Sequence, residues 1–508
     1  MAQDQPKKLS GGTMWLAGVV LALSNFMVVL DTSIANVSVP HIAGSLAISP
    51  EQGTWVVTSY SVAEAICVPL TGWLALRFGA VRVFIWSMVG FAAFSILCGL
   101  SPNLGILVAA RVGQGICGGP LIPLTQTLLL RIFPPDKRGA AMGLWAMTTV
   151  VAPVAGPVLG GTISDNWSWH WIFFINIPVA ALCLFGVFAL LRGEETPTEK
   201  QPVDFVGLIL LVIWVGALQV MLDTGRDKDW FGSPLIVAEA VIAAIFFVAF
   251  LIWELTDRHP IVDVRVFRHR GFSASVIALA VCYGTFFSTV VITPQWLQGY
   301  LGYTAQWAGF VLAWQGMFAV VVSPIVGRLS GKFDPRMLVS GGMLWLAFAL
   351  FQRTDWTSDV DYWSLAIPHM LNGLGLPFFF VPITILALAS VEPRETASAA
   401  GLSSFVRTLA GAVGTSIATT LWADQGQSSR ANLSGIVHSN STAAQQLRIE
   451  GMDPERTRGL LERLIDQQAM AIATTHLFEI GTVLLIASGL IVWLVPRPRK
   501  AVDTSAAH

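Results

Sequence analysis

The chain has 508 residues, 54% of them hydrophobic and only 12% charged, with a mean hydropathy of +0.66. A water-soluble domain carries about 25% charged residues, so this composition excludes an ordinary soluble globule. The formal net charge of −1 also excludes the broad basic field that would draw nucleic acid as a partner.

Lys7 and Lys8 precede an apolar run that starts near Trp15 and reaches about Asn36. That run is too long for a signal-peptide core and lacks a small-residue cleavage pattern, so it reads as a first membrane span. A hydrocarbon core of about 30 Å takes about 20 mostly apolar residues per helix, and in lipid each backbone amide must be paired within its own helix. By that measure the spans fall at about 15–36, 53–74, 81–100, 104–130, 140–162, 169–192, 204–222, 234–255, 271–293, 305–326, 336–351, 362–386, 399–421 and 473–495. The chain is therefore expected to be an all-α membrane protein of about fourteen transmembrane helices. Most of its basic residues lie in alternate loops, which places both termini in the cytoplasm. The exceptions are Arg226, Lys228, Arg353 and the arginines of one long outer segment, about 422–472, together with Arg111 and Arg407, which lie within spans. The five cysteines all lie in spans without CxxC spacing, which suggests neither a disulfide framework nor a zinc site.

The turn after span two, Gly72-Trp-Leu-Ala-Leu-Arg77-Phe-Gly79-Ala-Val-Arg82, has an echo after span ten, Gly327-Arg-Leu-Ser-Gly-Lys332-Phe-Asp-Pro-Arg336. Duplicated transporters repeat such features at matching places in two halves. On this reading spans 1–6 (residues 1–200) and 9–14 (residues 259–508) are two six-helix halves, and residues 201–258 are an inserted pair.

At these residues the chain resembles a drug:proton antiporter of the fourteen-helix major facilitator branch, of the EmrB type. Leu30-Asp31-Thr-Ser-Ile-Ala-Asn36-Val-Ser-Val-Pro40 resembles the first-helix signature, and Arg111-Val-Gly-Gln114-Gly115-Ile-Cys-Gly118-Gly119-Pro120 the fourth-helix one. Ala152-Pro153-Val-Ala-Gly156-Pro157-Val-Leu-Gly160-Gly161 resembles the exporter motif of span five. Trp169-His-Trp171-Ile-Phe-Phe-Ile-Asn176-Ile-Pro178, Asp229-Trp230-Phe231 and Arg407-Thr-Leu-Ala-Gly411-Ala-Val-Gly414 extend the likeness along the chain. One departure is Leu76, where the family's loop carries an acidic residue; Gly331 stands at the echo position. The resemblance implies a major facilitator fold, export by alternating access, a proton as the coupling ion with no other cofactor, and a bacterial inner membrane. It also implies a periplasmic membrane-fusion adaptor and an outer-membrane channel as partners, beside lipid and amphiphilic small molecules.

Small residues at one-turn spacing, Gly156, Pro157, Gly160 and Gly161, allow a neighbouring helix to come close; in a transporter this face is a candidate sliding contact between halves. Charges inside spans carry a separate warrant, because they are costly in lipid and mark ion or substrate paths. The candidates for proton coupling are Asp31, Glu64, Arg111 and Arg407. Asp31 lies about five residues from the outer end of its span and Arg111 about seven, depths of about 8 and 10 Å at 1.5 Å per residue. Glu64 falls near the midplane. A fixed salt bridge or cap for Asp31 and a structural clamp for Arg407 remain alternatives. Glu239 reads as peripheral and His369 as a hydrogen-bonded packing residue.

A site for varied amphiphiles calls for aromatic and flexible side chains between the halves, for which Trp145, Met147, Trp314, Gln315, Phe378 and Phe379 are candidates. No metal-spaced cluster, nucleotide-binding GxxxxGK[ST] or nucleophile constellation occurs, so the chain is not expected to be an enzyme or to use ATP. In the long outer segment, Asp453-Pro454 starts a helix with Leu460, Leu461, Leu464 and Ile465 as an apolar stripe. That helix either docks an adaptor or covers the outer mouth. The leading reading is a proton-coupled exporter. A proton symporter importing a polar nutrient and a non-transporting receptor or scaffold are the alternatives.

Overall fold

The computed structural model describes residues 11–191, 193–199, 202–258, 260–436 and 453–495. These are helices joined by short turns, with no strand among them. The helices are α1 Gly11–Ser45, α2 Pro50–Phe78, α3 Ala80–Gly99, α4 Leu104–Gly118, α5 Leu121–Ile132, α6 Arg138–Asn166, α7 Trp171–Phe174 and α8 Asn176–Leu190. They continue as α9 Phe205–Thr224, α10 Pro234–Thr256, α11 Arg270–Gly299, α12 Ala305–Leu329, α13 Pro335–Phe351, α14 Tyr362–Ala389, α15 Thr396–Ile436 and α16 Pro454–Ile491.

Twelve spans are long and apolar enough to cross a bilayer, counting α4 with α5 and α7 with α8. The 17-residue α13 and the more polar α15 complete the expected fourteen. The fourth span bends at Gly119-Pro120, where proline cannot continue the amide ladder of α4. Polar residues start the helices where the chain turns. Ser49 Oγ accepts from the Gln52 amide while Gln52 Oε1 accepts from the Ser49 amide, a reciprocal cap that occupies two otherwise orphan donors.

The helices pack in groups. Helices α1 to α8 pack among themselves, with α1 against α6, α2 and α8; α11 to α16 do likewise, with α11 against α15 and α16. The pair α9 and α10 lies beside α2 and α15. There Ser416 Oγ donates to the Leu222 carbonyl at 3.0 Å, and Trp230 Nε1 donates to Thr420 Oγ1 at 3.0 Å. The two groups meet along α6 and α12. A Cβ at Gly143 would lie 2.9 Å from the Ser323 carbonyl oxygen, and one at Gly139 would overlap the Gly327 carbonyl. Farther along, Val158 and Val154 rest on Gly309 and Gly316. A second contact joins α2 to α15, where a Cβ at Gly72 would lie 2.5 Å from Ser398 Oγ. This contact and the Gly139–Gly327 contact lie at the end carrying the two basic turns.

The outer segment differs from expectation. A helix does begin at Asp453-Pro454, but it is neither separate nor short: α16 runs unbroken into the last span, and α15 runs unbroken past its span to Ile436. No proline occurs between Pro393 and Pro454, so nothing in that stretch must stop a helix. The two extensions are held together by Trp422 Nε1 donating to Thr474 Oγ1 at 2.8 Å and by an Arg430–Asp466 ion pair at 3.0 Å. Residues 437–452 of the expected loop lie outside the described residues.

Candidate functional site

The site is built around Asp31 on α1. Arg111 and Gln114 are three residues apart on α4, so they share one face, and both turn toward α1. Arg111 Nη1 donates to Asp31 Oδ2 at 2.6 Å and to Gln114 Oε1 at 2.7 Å. Gln114 Nε2 donates to Asp31 Oδ1 at 3.0 Å, and Asn176 Nδ2 at the start of α8 donates to the same oxygen at 2.6 Å. Ser95 Oγ on α3 accepts from Gln114 at 2.8 Å and Asn176 at 3.3 Å. Arg111 Nε donates to the Val56 carbonyl at 2.9 Å, and its guanidinium lies 4.2 Å from the Tyr60 ring centre. Two spans, α4 and α8, thus place donors on a single carboxylate of α1, with Ser95 of α3 behind them, and that side chain, like that of Arg111, is almost wholly buried. Losing the charge on Asp31 would weaken the tie of α1 to α4 and α8, because the buried arginine would lose its counter-charge.

Close approach of α2 to α4 makes this possible: a Cβ at Gly115 would lie 2.5 Å from the Tyr60 carbonyl oxygen. Glu64, one turn beyond Tyr60, is buried and makes no hydrogen bond among the described residues. It lies within electrostatic reach of Arg407 and Arg111. Arg407 on α15 is itself buried, with its guanidinium 4.9 Å from the ring centre of Trp145 on α6 and 5.4 Å from that of Tyr283 on α11. A second cluster, Glu64, Arg407, Trp145 and Tyr283, therefore draws on both helix groups. Two of its buried donors, Arg407 Nε and Trp145 Nε1, have no acceptor among the described residues.

The other sequence candidates sit elsewhere. Trp314 Nε1 donates to Tyr362 Oη at 3.0 Å, within the α12–α14 contact. Gln315 is buried in that contact, and its Nε2 has no acceptor among the described residues. Phe378 rests on Gly342 of α13; Phe379 is buried and edge-on to Phe380. Met147 is half-buried on α6. Phe380 faces the second cluster instead, 5.9 Å from Tyr283.

The small-residue motif of span five also packs differently from expectation. Gly156 and Gly160 lie against Ser33 and Ile34 of α1, within the first group, and Ser33 Oγ donates to the Pro153 carbonyl at 3.1 Å. A Cβ at Gly161 would meet nothing within 4 Å, and Pro157 is half-buried. The inter-group contact uses Gly139 and Gly143. From Gly143 to Gly156 is thirteen residues, which at about 100° each puts the two faces about 140° apart around the helix.

The departure at Leu76 is answered by another segment. Gly79 holds a left-handed φ of +94° between α2 and α3, a conformation open to glycine at little cost. Glu195, from the segment after α8, accepts from the Val81 amide at 3.0 Å and the Arg82 amide at 3.1 Å. Its carboxylate is 3.8 Å from Arg82 Nε, and its carbonyl accepts from Arg131 at 2.6 Å. Arg77 stacks beside Trp73 and Phe78. The acidic group thus arrives from a distant stretch and sits at the α3 N-terminus, where a negative charge is favoured.

Sequence reasoning missed Ser95, Tyr60 and Tyr283. They are ordinary span residues whose only signal is proximity in space.

Comparison with known proteins agrees with this architecture. A family model for the Major Facilitator Superfamily matches residues 21–415. The chain is 43% identical to the multidrug export protein EmrB of Escherichia coli (strain K12), covering 97% of this chain and 98% of that protein. It is 42% identical to the fatty acid resistance protein FarB of Neisseria gonorrhoeae, covering 97% and 98%. Among solved structures, the human organic anion transporter MFSD10 (TETRAN) shares the fold, with a TM-score of 0.57, 16% identity and coverage of 95% of this chain and 100% of that one. With a family model over most of its length and such relatives along nearly all of it, the chain belongs to the Major Facilitator Superfamily, in its EmrB-type branch, and is a multi-pass membrane transporter.

Proposed function

We propose that this transporter exports amphiphilic compounds from the cytoplasm in exchange for protons, working in a bacterial inner membrane with both termini and the basic turns on the cytoplasmic side. The observation that carries the reading is the buried Asp31 carboxylate, tied to α4 and α8 and electrostatically linked through Arg111 to Glu64 and Arg407. A proton arriving at Asp31 cancels the charge that holds Arg111, and the freed guanidinium then acts on Glu64. Arg407, in contact with the other group, shares that field, so proton occupancy in one helix group biases the fit of the other. In the described state the groups touch at the cytoplasmic end, through Gly139–Gly327 and Gly72–Ser398, which closes that side, and they also meet farther along the helices at Val154–Gly316 and Val158–Gly309.

The substrate reading rests on the second cluster. Arg407 Nε and Trp145 Nε1 are donors in search of an acceptor, and the aromatic faces around them suit an apolar body with a polar or anionic head. The names of the relatives EmrB and FarB, multidrug export and fatty acid resistance, support the same class. The α15–α16 extension is the surface we assign to a periplasmic adaptor, which would lead to an outer-membrane channel.

Reconstituted protein should move ethidium or laurate against a gradient when a proton gradient is imposed, and a protonophore should stop it. Transport unaffected by the protonophore would refute proton coupling. Shortening residues 455–468 should abolish resistance in cells while leaving transport in liposomes intact. Equal loss in both assays would refute the adaptor role.

A further inference from the structure

Two carboxylates on the inserted pair have no part in the sites described above. Glu254, in the last turn of α10, has no solvent exposure, and Asp204 caps the start of α9 beside it. A Cβ at Gly207 would overlap Asp204 Oδ2 and lie 2.5 Å from Glu254 Oε1, so those two oxygens are no more than about 5 Å apart. Only glycine at this position leaves room for both.

The two acids are served unequally. The Gly207 amide donates to Asp204 Oδ1 at 2.9 Å, and Trp253 Nε1 lies 3.0 Å from Oδ1 and 2.9 Å from Oδ2. Glu254 Oε2 accepts from the Val262 amide at 3.2 Å, whereas its Oε1 is buried and has no partner among the described residues. The charged groups in reach of Glu254 are Asp204, Asp257 at the end of α10 and Asp263 on the linker to α11, all of one sign. Arg265 of the same linker directs Nη2 to the Leu255 carbonyl at 3.2 Å and to the Asp257 carbonyl. Two ionised carboxylates this close in a buried place repel each other, and a buried oxygen without a hydrogen is costly. One hydrogen on Glu254 Oε1, donated to Asp204 Oδ2, removes both penalties. Asp204, which then has three donors, is the ionised member.

The linker that Glu254 holds leads to the contact between the two helix groups. Val262 is buried on it, and farther along Arg268 Nη2 donates to Glu395 Oε1 at 2.7 Å while His269 Nε2 lies 3.0 Å from Glu395 Oε2. Glu395 stands three residues before Ser398, which packs on Gly72. The linker is a strap from the inserted pair to that contact.

We infer that Asp204 and Glu254 form a proton-binding site, one hydrogen shared by two carboxylates, that fastens this strap and holds the groups together at the cytoplasmic end. The site lies apart from Asp31, and its proton is resident. When it is lost, the Glu254 O–H bond breaks, the proton passes to cytoplasmic water and the electron pair stays on Oε1. The two charges then push α9 and α10 apart and loosen the strap, so an alkaline cytoplasm favours opening on that side. The inference rests on the orientation proposed above for the side from which the proton comes.

Two measurements on the full-length protein in lipid test this. The infrared spectrum of the parent minus that of Glu254→Gln should contain a carboxylic-acid carbonyl band that shifts in heavy water, and a difference spectrum without that band overturns the assignment. Asp204→Asn keeps a good cap on α9 and should move or remove the same band; an unchanged band would overturn the sharing. The second measurement follows the strap. Thiol labelling of Ser398→Cys from the cytoplasmic side, relative to that of Gly331→Cys, should speed up as the pH on that side is raised. In the Glu254→Gln background, whose amide keeps a hydrogen for Asp204 at every pH, that rise should be lost. His269 also titrates on the strap but is present in both proteins, so the difference reports Glu254. An equal rise in both overturns the strap. Labelling of Ser398→Cys from the periplasmic side alone would refute the orientation, while the infrared band still decides the proton site.

Discussion

Asp31 and Arg111 are expected to behave as one energetic unit. Asp31→Asn keeps the volume of the side chain but leaves a guanidinium with essentially no solvent exposure facing a neutral group. Removing one member of a buried pair costs about 3–5 kcal/mol, because the remaining charge is stranded. Arg111→Gln strands the carboxylate in the same way, although Gln114 and Asn176 still donate to it at 3.0 and 2.6 Å. Independent sites would give a double variant that costs about 6–10 kcal/mol, the sum of the two singles. The double variant Asp31→Asn/Arg111→Gln contains no stranded charge, so it should cost no more than about 5 kcal/mol, a coupling of at least about 1 kcal/mol. Urea unfolding of the four proteins in nanodiscs measures the cycle, and gradient-driven ethidium transport in proteoliposomes measures function. Both Asp31→Asn proteins should bind probe yet fail to concentrate it. Additive costs would refute the pairing. Parental transport by Asp31→Asn would make Asp31 structural and pass the proton role to Glu64.

Other outcomes follow from the same contacts. Gly139→Val places a side chain against the Gly327 carbonyl; overpacking of about 1–3 kcal/mol corresponds to about a 5- to 150-fold shift away from the cytoplasm-closed state. Thiol labelling of Ser398→Cys in that background should speed up by such a factor, and an unchanged rate would argue that this contact does not gate. Glu195→Ala removes the acceptor of two amides at the start of α3 and should cost about 1 kcal/mol, seen as a lower melting temperature. An unchanged melting temperature would deny Glu195 that role. A cysteine at Gly459 should react with an impermeant thiol reagent from the periplasmic side, and one at Gly331 only after permeabilisation. Both positions have room for a side chain, and labelling from one side alone would overturn the topology.

Much of this protein is legible along the chain. Hydropathy is a local sum, so each span could be placed without knowing its neighbours, and the loop charges gave the set an expected orientation. The depth arithmetic brought Asp31 and Arg111 to one level, because helix rise is the same in every sequence. The break at Asp453-Pro454 was equally visible, whereas the helical continuity beyond it could have been read from the lack of proline after Pro393 and was not. What the chain does not state is which way each helix is turned and which helix lies beside it. Gly156 and Gly160 face α1, and Gly139 and Gly143 face α12, because the two pairs lie on different sides of one helix and the partner of each is chosen by backbone approach over the whole length. Glu64 and Arg407, 343 residues apart, share a field only because α2 and α15 pack together. Asn176, Ser95 and Tyr283 acquire roles the same way. A hydrogen bond or a charge pair is decided within a few ångströms, and between distant segments only the packing of the assembled helices sets that distance.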